Sequence, residues 1–417
     1  MHNETSKHIT MLTTNPQEKT NRVEVVDAIR GIAVAMILML HSIEHFNFYD
    51  MPTPDAPWLR FIDQMIWDGL WYVIGGKAYA IFALLFGFSF FIMYDHAEKK
   101  GIDFRGRFCW RLVLLFLFGN LNAAFFCGEV LVLYSIVGFV LPLVCRLKTK
   151  TVLIIAAICM LQPVEWIKMI YATIDPDATI LQFSYRDAYQ FAMNTLAEGN
   201  FIETLKANLW EGQIFSLAWA WGNARFFQTA SLFMIGMVAG RVKAFADTPD
   251  NRALWGKIFT IAFLVYLPTL GLSNLIPSFT RTLSPEDIEA STLGILSVRS
   301  FSTPLLLILS SIHKACFMFM IVTGLLFAFY CTKLNKPMKL IMPYGRMSLT
   351  NYVTQSIFGA IMFYHWGLNL KLCDTWSELL GLCFLFVQIC FCTWWMNHHK
   401  RGPLEEIWRK LTWIGSK

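Results

Sequence analysis

The chain has 417 residues, of which 56% are hydrophobic and 15% charged, with a mean hydropathy of +0.48 and a formal net charge of +6. A soluble domain carries about 45–50% apolar and about 25% charged residues, so the composition excludes a soluble globular chain, a disordered chain and a small disulfide-stapled secreted domain. It predicts an all-α polytopic membrane protein, and it turns the excess of positive charge into a question of where the charges fall rather than a sign of a nucleic-acid partner.

Residues 1–26 read as a polar N-terminal tail. The first apolar run begins at Ile29 and has no A-x-A-like exit, so it is expected to be an uncleaved first span. A span needs roughly 20 mainly apolar residues. Ten segments qualify: about 28–46, 77–95, 107–125, 128–146, 150–172, 224–242, 254–275, 303–331, 346–365 and 377–397. They form one transmembrane domain over 27–398, followed by a C-terminal tail over 399–417. Alternate connections hold twenty-five and six of the Lys and Arg residues. The richer set includes both ends, so the positive-inside rule predicts cytoplasmic termini in the inner (cytoplasmic) membrane of a bacterium.

Two connections on the opposite side are long. Residues 47–76 carry Pro52, Pro54 and Pro57, then Trp58, Trp67 and Trp71, a pattern suited to an interfacial or re-entrant helix. Residues 173–223 carry Asp175, Asp177, Asp187, Glu198, Glu203 and Glu211 with Trp210, Trp219 and Trp221. Acidic and aromatic side chains suit an extracytoplasmic carbohydrate or a polar head group. A lid lying on the membrane lipids is an equal reading. The ten cysteines form no CxxC pair. Cys159, Cys316, Cys383, Cys390 and Cys392 lie in apolar runs and read as small buried hydrophobes.

The first span reads Asp27-Ala-Ile-Arg30-Gly31 and continues to His41-Ser42-Ile-Glu44-His45. Eleven residues make about three helical turns, so Arg30 and His41 share a face about 16 Å apart. Ionisable groups in a span are costly and normally face a cavity or a partner. This stripe would put a cation for an anionic cofactor at one membrane face. It would put a general base, His41 or His45, toward the other. A hydrogen-bonded structural histidine and an Arg30 that merely signals topology are the plain alternatives.

Arg105, Arg107 and Arg111 open the third span, with Arg107 and Arg111 on one face. Guanidinium groups grip phosphates bidentately, although topology signalling alone accounts for such a cluster. Glu129 stands at the start of the fourth span, on the side toward which His41 and His45 point. A carboxylate there suits the helix dipole, and paired with a His it would orient the ring. Lys77, Arg225 and Lys314 lie in or beside apolar runs and would pair with an acid or snorkel to an interface. The His398-His399 pair lacks the spacing of a metal site, and no metal is expected. There is no P-loop, dinucleotide fingerprint or G-x-S-x-G.

Five stretches in order resemble one family. They are Asp27-Ala-Ile-Arg30-Gly31, Lys77 through Gly87, Gly128-Glu129 through Tyr134, Gly345-Arg346-Met347-Ser348-Leu349-Thr350-Asn351-Tyr352, and Gly402-Pro403-Leu404-Glu405-Glu406-Ile407-Trp408-Arg409. Together they resemble the bacterial YeiB-like membrane family, a domain-of-unknown-function family. That family is distantly similar to the acyltransferase-3 proteins and to heparan-alpha-glucosaminide N-acetyltransferase. The resemblance implies transfer of an acyl group, usually acetyl from cytoplasmic acetyl-CoA or another acyl-CoA, to a sugar on the far side. It makes His41 the catalytic histidine and Arg30, Arg107 and Arg111 cofactor-side residues. Many YeiB-like members carry Asn where this chain has His41, so the His moves this sequence toward the acyltransferase pattern.

Three functions follow as expectations. In the first, a transmembrane acyltransferase, His41 acts with Glu129 and His45. The second is a transporter or permease for a small solute, lined by Lys77, Arg225, Lys314, Glu44 and His41; the absence of a visible internal repeat weighs against it. The third is a scaffold whose polar residues only pack helices.

Overall fold

The fold comes from a computed structural model that describes residues 23–44, 52–174, 181–183, 185–276, 295–297 and 302–415. Apolar runs become helices, even where Pro268 falls inside one. In chain order these are α1 (Glu24–Glu44), α2 (Pro57–Val73), α3 (Ala78–Glu98), α4 (Arg105–Ala123), α5 (Leu131–Val137), α6 (Val140–Val144), α7 (Thr149–Met160) and α8 (Pro163–Ile174). Then come α9 (Arg186–Glu198), α10 (Phe201–Ala207), a π-helical turn (Asn208–Gly212), α11 (Gln213–Gly222), α12 (Arg225–Arg241) and α13 (Pro249–Leu275). The chain ends with α14 (Ser302–Cys331), α15 (Asn335–Leu340), α16 (Met342–Arg346), α17 (Ser348–Phe363), α18 (Asp374–His398) and α19 (Pro403–Thr412). Two three-residue strands, β1 (Leu181–Phe183) and β2 (Ile295–Ser297), pair antiparallel with Gln182 opposite Leu296.

Each of the ten expected spans is helical. Among the described residues, five stretches are long and apolar enough to cross a membrane: Glu24–Glu44, Pro57–Glu98, Pro249–Leu275, Pro304–Cys331 and Asp374–His398. Thr149–Met160 and Pro163–Tyr171, bent by 49°, make a sixth if they are one broken span. The other segments fall short because α12 and α17 have 17 and 16 residues, α5 and α6 are interrupted, and α4 carries three arginines.

The helices form an inner group and an outer group. α1 is buried along most of its length, through Val25, Ala28, Ile29, Val34, Leu38 and Ile43. α3 and α12 touch backbone to backbone at two glycines. A Cβ on Gly87 would stand 1.9 Å from the Phe233 carbonyl oxygen, and one on Gly236 1.9 Å from that of Leu84. Outside lie α13 and α18. In α13 only Trp255, Ala262 and Tyr266 are buried, while Ile261, Leu264 and Leu267 are exposed. Apolar faces of this extent are tolerated in lipid and not on a soluble monomer.

That outer layer corrects one expectation. Cys392 is buried, but Cys159 and Cys316 are half-buried and Cys383 and Cys390 exposed. An apolar run does not distinguish the core face from the lipid face, because both are apolar.

The connections are more ordered than a loop reading implies. The aromatic stretch of 47–76 forms α2, nearly continuous with α3. Its one buried residue, Asp63, accepts hydrogen bonds from Thr375 N (2.9 Å) and Thr375 Oγ1 (2.5 Å) at the start of α18. The 173–223 connection folds into α9, α10 and α11, with an Asn200–Glu203 capping box at α10. Asp175 and Asp177 lie outside the described residues. The expected C-terminal tail contains α19, which packs on α4 and α17.

Candidate functional site

Two cavities sit end to end inside the inner helices. The first has a volume of about 160 Å³. Its wall includes His41 and Glu44 of α1, Tyr79 of α3, Glu129, Trp219 of α11, Arg225 of α12 and Tyr352 of α17. His41 is buried, with its ring centre 4.6 Å from that of Phe126 and 6.1 Å from that of Tyr352. Glu129 is buried just before α5. Its carboxylate accepts from the Asn122 side chain and from the Leu131 backbone N–H, and its carbonyl accepts from Ser216 Oγ at 2.8 Å. The carboxylate therefore closes the N-terminus of α5, where the helix dipole favours it. His41 and Glu129 thus line one cavity, as their expected shared side requires. His45 lies outside the described residues.

The second cavity has a volume of about 900 Å³. Seven cations line it: Arg30, Lys100, Arg111, Arg346, Lys400, Arg401 and Arg409; the carboxylates there are Asp27 and Glu405. Its frame is built from three of the five family-like stretches. A Cβ on Gly345 would stand 2.0 Å from the Asp27 carbonyl oxygen, so α1 and α16 meet at their backbones. Asp27 accepts from both flanking arginines, Arg30 Nη1 at 3.3 Å and Arg346 Nε at 3.2 Å. Arg30 also donates to Ser89 Oγ at 2.9 Å. Glu405 reaches from α19 to the start of α17, accepting from Leu349 N at 2.7 Å, Thr350 N at 3.0 Å and Thr350 Oγ1 at 2.6 Å. Burial pushes the Glu405 carboxyl up, against the downward pull of its bonds to Thr350 and Leu349.

The arginines of α4 divide. Arg111 faces the cavity, its guanidinium 3.5 Å from the Trp408 ring centre. Arg107 is not among the residues lining either cavity. Its Nη1 donates to the carbonyls of Thr412 (3.0 Å) and Ile414 (2.9 Å), tying the C-terminal segment to α4. One helical turn separates the two: Arg111 stacks on Trp408 in the middle of α19, whereas Arg107 reaches the carbonyls at and beyond its C-terminal end.

Ile37, Tyr79, Val130 and Tyr352 belong to both walls. The cavities therefore abut, with two tyrosines and two aliphatic side chains between them. Sequence reasoning reached His41, Glu129, Arg30 and Arg111, but treated Arg346, Lys400, Arg401 and Arg409 only as topology charges. The Gly345–Tyr352 and Gly402–Arg409 stretches were the available signal for them. Among the described residues, no group of three or more His, Cys, Asp or Glu side chains is placed to hold a metal ion.

Residues 239–415 match the family described as "Protein of unknown function (DUF418)". The chain is 24% identical over 434 residues to "Uncharacterized protein YxaH" of Bacillus subtilis (strain 168), covering 97% of each. It is 22% identical over 413 residues to "Uncharacterized 39.9 kDa protein in amylase 3'region" of Bacillus acidopullulyticus, covering 96% of each. It is 36% identical over 72 residues to "Uncharacterized protein YeiB" of Escherichia coli (strain K12), 16% of this chain and 18% of that protein. The YeiB-like resemblance read from the five stretches therefore stands.

Proposed function

We propose, for this YeiB-like membrane protein, that it is a transmembrane acyltransferase of the bacterial inner membrane. It would move an acyl group, acetyl by preference, from a cytoplasmic CoA thioester to an acceptor on the outer side. The observation that carries this reading is the shared wall. A large basic cavity ends where a small cavity holding His41 begins. A phosphate-bearing donor suits the first kind of space, and proton abstraction suits the second.

The proposal includes ten spans and both termini in the cytoplasm, since that orientation puts Arg30, Arg346 and the C-terminal cations on the donor side. Arg30 and Arg111 would bind the donor's phosphates. Arg107 would serve them by holding α19 in place beneath the cavity. The thioester end would reach past Tyr79 and Tyr352. His41 would take a proton from the acceptor hydroxyl or amine as that atom attacks the thioester carbonyl. The C–S bond breaks, and the leaving thiolate takes up a proton. Glu129 would keep the loop before α5 in register, and His45, four positions after His41 in the sequence, would assist it. The acidic and aromatic helices of 173–223 would admit the acceptor, a sugar in the simplest case.

Calorimetry of acetyl-CoA with the detergent-purified protein tests the donor side. Micromolar binding corresponds to about −8 kcal/mol, and Arg111→Ala should weaken it. His41→Ala should retain that binding and lose transfer. Solute uptake into proteoliposomes without any thioester, together with no acetyl-CoA binding, would replace the enzyme by the permease reading.

A further inference from the structure

Arg225 lines the first cavity, and Lys77 and Lys314 stand beside its wall residue Gly76, on the end away from the arginine-rich one. Lys77 precedes α3, Arg225 opens α12, and Lys314 lies within α14. Among the described residues none of the three has a carboxylate at ion-pair distance. Lys77 is buried and donates to the Tyr72 carbonyl, with its ammonium 5.2 Å from the Phe317 ring centre. The Lys314 stem runs along the neighbouring residue, its Cδ 3.0 Å from where a Cβ on Gly76 would stand. The Arg225 guanidinium lies 4.2 Å from the Tyr79 ring centre and 4.3 Å from that of Trp219. Gln228 Nε2 donates to the Ser311 carbonyl at 2.9 Å, which fixes α12 beside α14 one turn from Lys314.

Gly76, Tyr79, Trp219 and Arg225 are all wall residues of the first cavity. The cations are close enough to act on one another, and Glu44, on the same wall, acts on Arg225. Three positive charges thus stand near two wall carboxylates, Glu44 and Glu129, in a region of low dielectric. Desolvating a cation costs several kcal/mol unless an anion repays it. Topology signalling does not explain the cluster, because it lies opposite the Lys- and Arg-rich connections. Intramembrane charges retained at such a cost mark a path or a ligand.

We propose that Arg225, Lys314 and Lys77 form a phosphate-binding site at the first cavity. The surplus of positive charge over Glu44 and Glu129 calls for a further anion, and a phosphate supplies it. Read with acyl transfer, on which its role though not its existence rests, the site names the acceptor class. The acceptor carries a phosphate, as a phosphosugar or in a lipid headgroup, and docks it on Arg225 and Lys314 with its reacting hydroxyl or amine toward His41.

The test uses the full chain in a neutral detergent and follows thermal unfolding and calorimetric binding in two arms. One arm adds glycerol 3-phosphate. The other compares phosphatidylglycerol with phosphatidylcholine in nanodiscs. Stabilisation in the first arm assigns a soluble ester, and in the second a lipid headgroup. Arg225→Gln and Lys314→Met should each weaken the binding roughly tenfold, the scale of one charge-assisted hydrogen bond. Glu44→Gln should tighten it, a gain that misfolding cannot imitate. Arg111→Ala should leave it unchanged. The site is refuted if neither probe binds wild type. It is equally refuted if monodisperse Arg225 and Lys314 variants bind normally, or if only Arg111→Ala loses binding, which would place the phosphate in the second cavity. Failure of acetyl-CoA to bind would remove the donor reading and leave these outcomes untouched.

Discussion

The two cavities are built in opposite ways. The large one is held by stretches far apart in sequence that lock together. Gly345 lies on the α1 backbone, Asp27 bridges Arg30 and Arg346, and Glu405 ties α19 to α17. Its functional candidates are also its framework. The small one draws His41, Glu44 and Arg225 from helices that are already packed by Gly87, Gly236 and apolar neighbours. There these three are passengers on a frame made by others, to which Glu129 belongs through its bonds to Asn122, Leu131 and Ser216. Substitutions around the large cavity should therefore cost stability, and substitutions in the small one should cost chemistry.

The largest effect is expected at Gly345. Even Gly345→Ala would force a methyl to within 2.0 Å of a backbone oxygen that belongs to another helix. Overpacking usually costs about 1–3 kcal/mol, and a backbone neighbour cannot rotate away, so we expect roughly 3 kcal/mol or more. Little monodisperse protein should be recovered on size exclusion. Normal recovery and an unchanged melting temperature would show that α1 and α16 are not clamped.

Asp27→Asn comes next. Its carboxylate is buried, whereas the side chains of Arg30 and Arg346 are 20% and 30% exposed. Breaking a fully buried pair costs about 3–5 kcal/mol, and solvent at both arginines lowers the expectation to about 2–3 kcal/mol. Tryptophan fluorescence on heating in detergent would read it. A variant as stable as wild type would mean that the two ion pairs serve the cavity and not the fold.

Glu405→Ala should cost about 1–2 kcal/mol, since it leaves the Leu349 and Thr350 N–H groups at the start of α17 unpaired. Its pH dependence has a definite sign. Burial raises the carboxyl in the folded protein above its ordinary value of 4.5. The folded state therefore holds the proton more tightly, and this contribution is full below the ordinary value. It is lost as pH rises through the raised one. Melting curves across that window should fall with pH in wild type and flatten in Glu405→Gln. A slope unchanged by the substitution would remove Glu405 as its source.

How much of this the sequence discloses follows the same division. Composition and apolar run length suffice for an all-helical membrane chain, and every expected span is helical. Run length does not say which helices meet lipid. Cys383 and Cys390, in as apolar a setting as Cys392, point outward. The stripe from Arg30 to His41 was legible because both residues ride one helix at a fixed period. Arg107 and Arg111 were not separable, because their difference lies in α19, some 300 positions later in the chain, which meets Arg111 with the Trp408 ring and Arg107 with its terminal carbonyls. The cluster of Lys77, Arg225 and Lys314 was legible as three isolated oddities. Its convergence depends on how α3, α12 and α14 pack, and no local pattern encodes that.

The smallest effect on stability, and the sharpest on function, is expected at His41. Its ring stands beside those of Phe126 and Tyr352 and borders a cavity, so a smaller side chain there meets open space. Asn keeps a polar atom near the same place and removes only part of the ring volume. His41→Asn should therefore shift stability by less than about 1 kcal/mol. Yet Asn cannot accept a proton near neutral pH, so transfer by general-base catalysis should fall by about 10²–10⁴-fold while the donor still binds. A folded His41→Asn protein that retains full transfer would leave the small cavity as a binding pocket and move the base elsewhere. An unfolded one would show that the contrast between the two cavities is wrong, because the small cavity would then hold its own frame together.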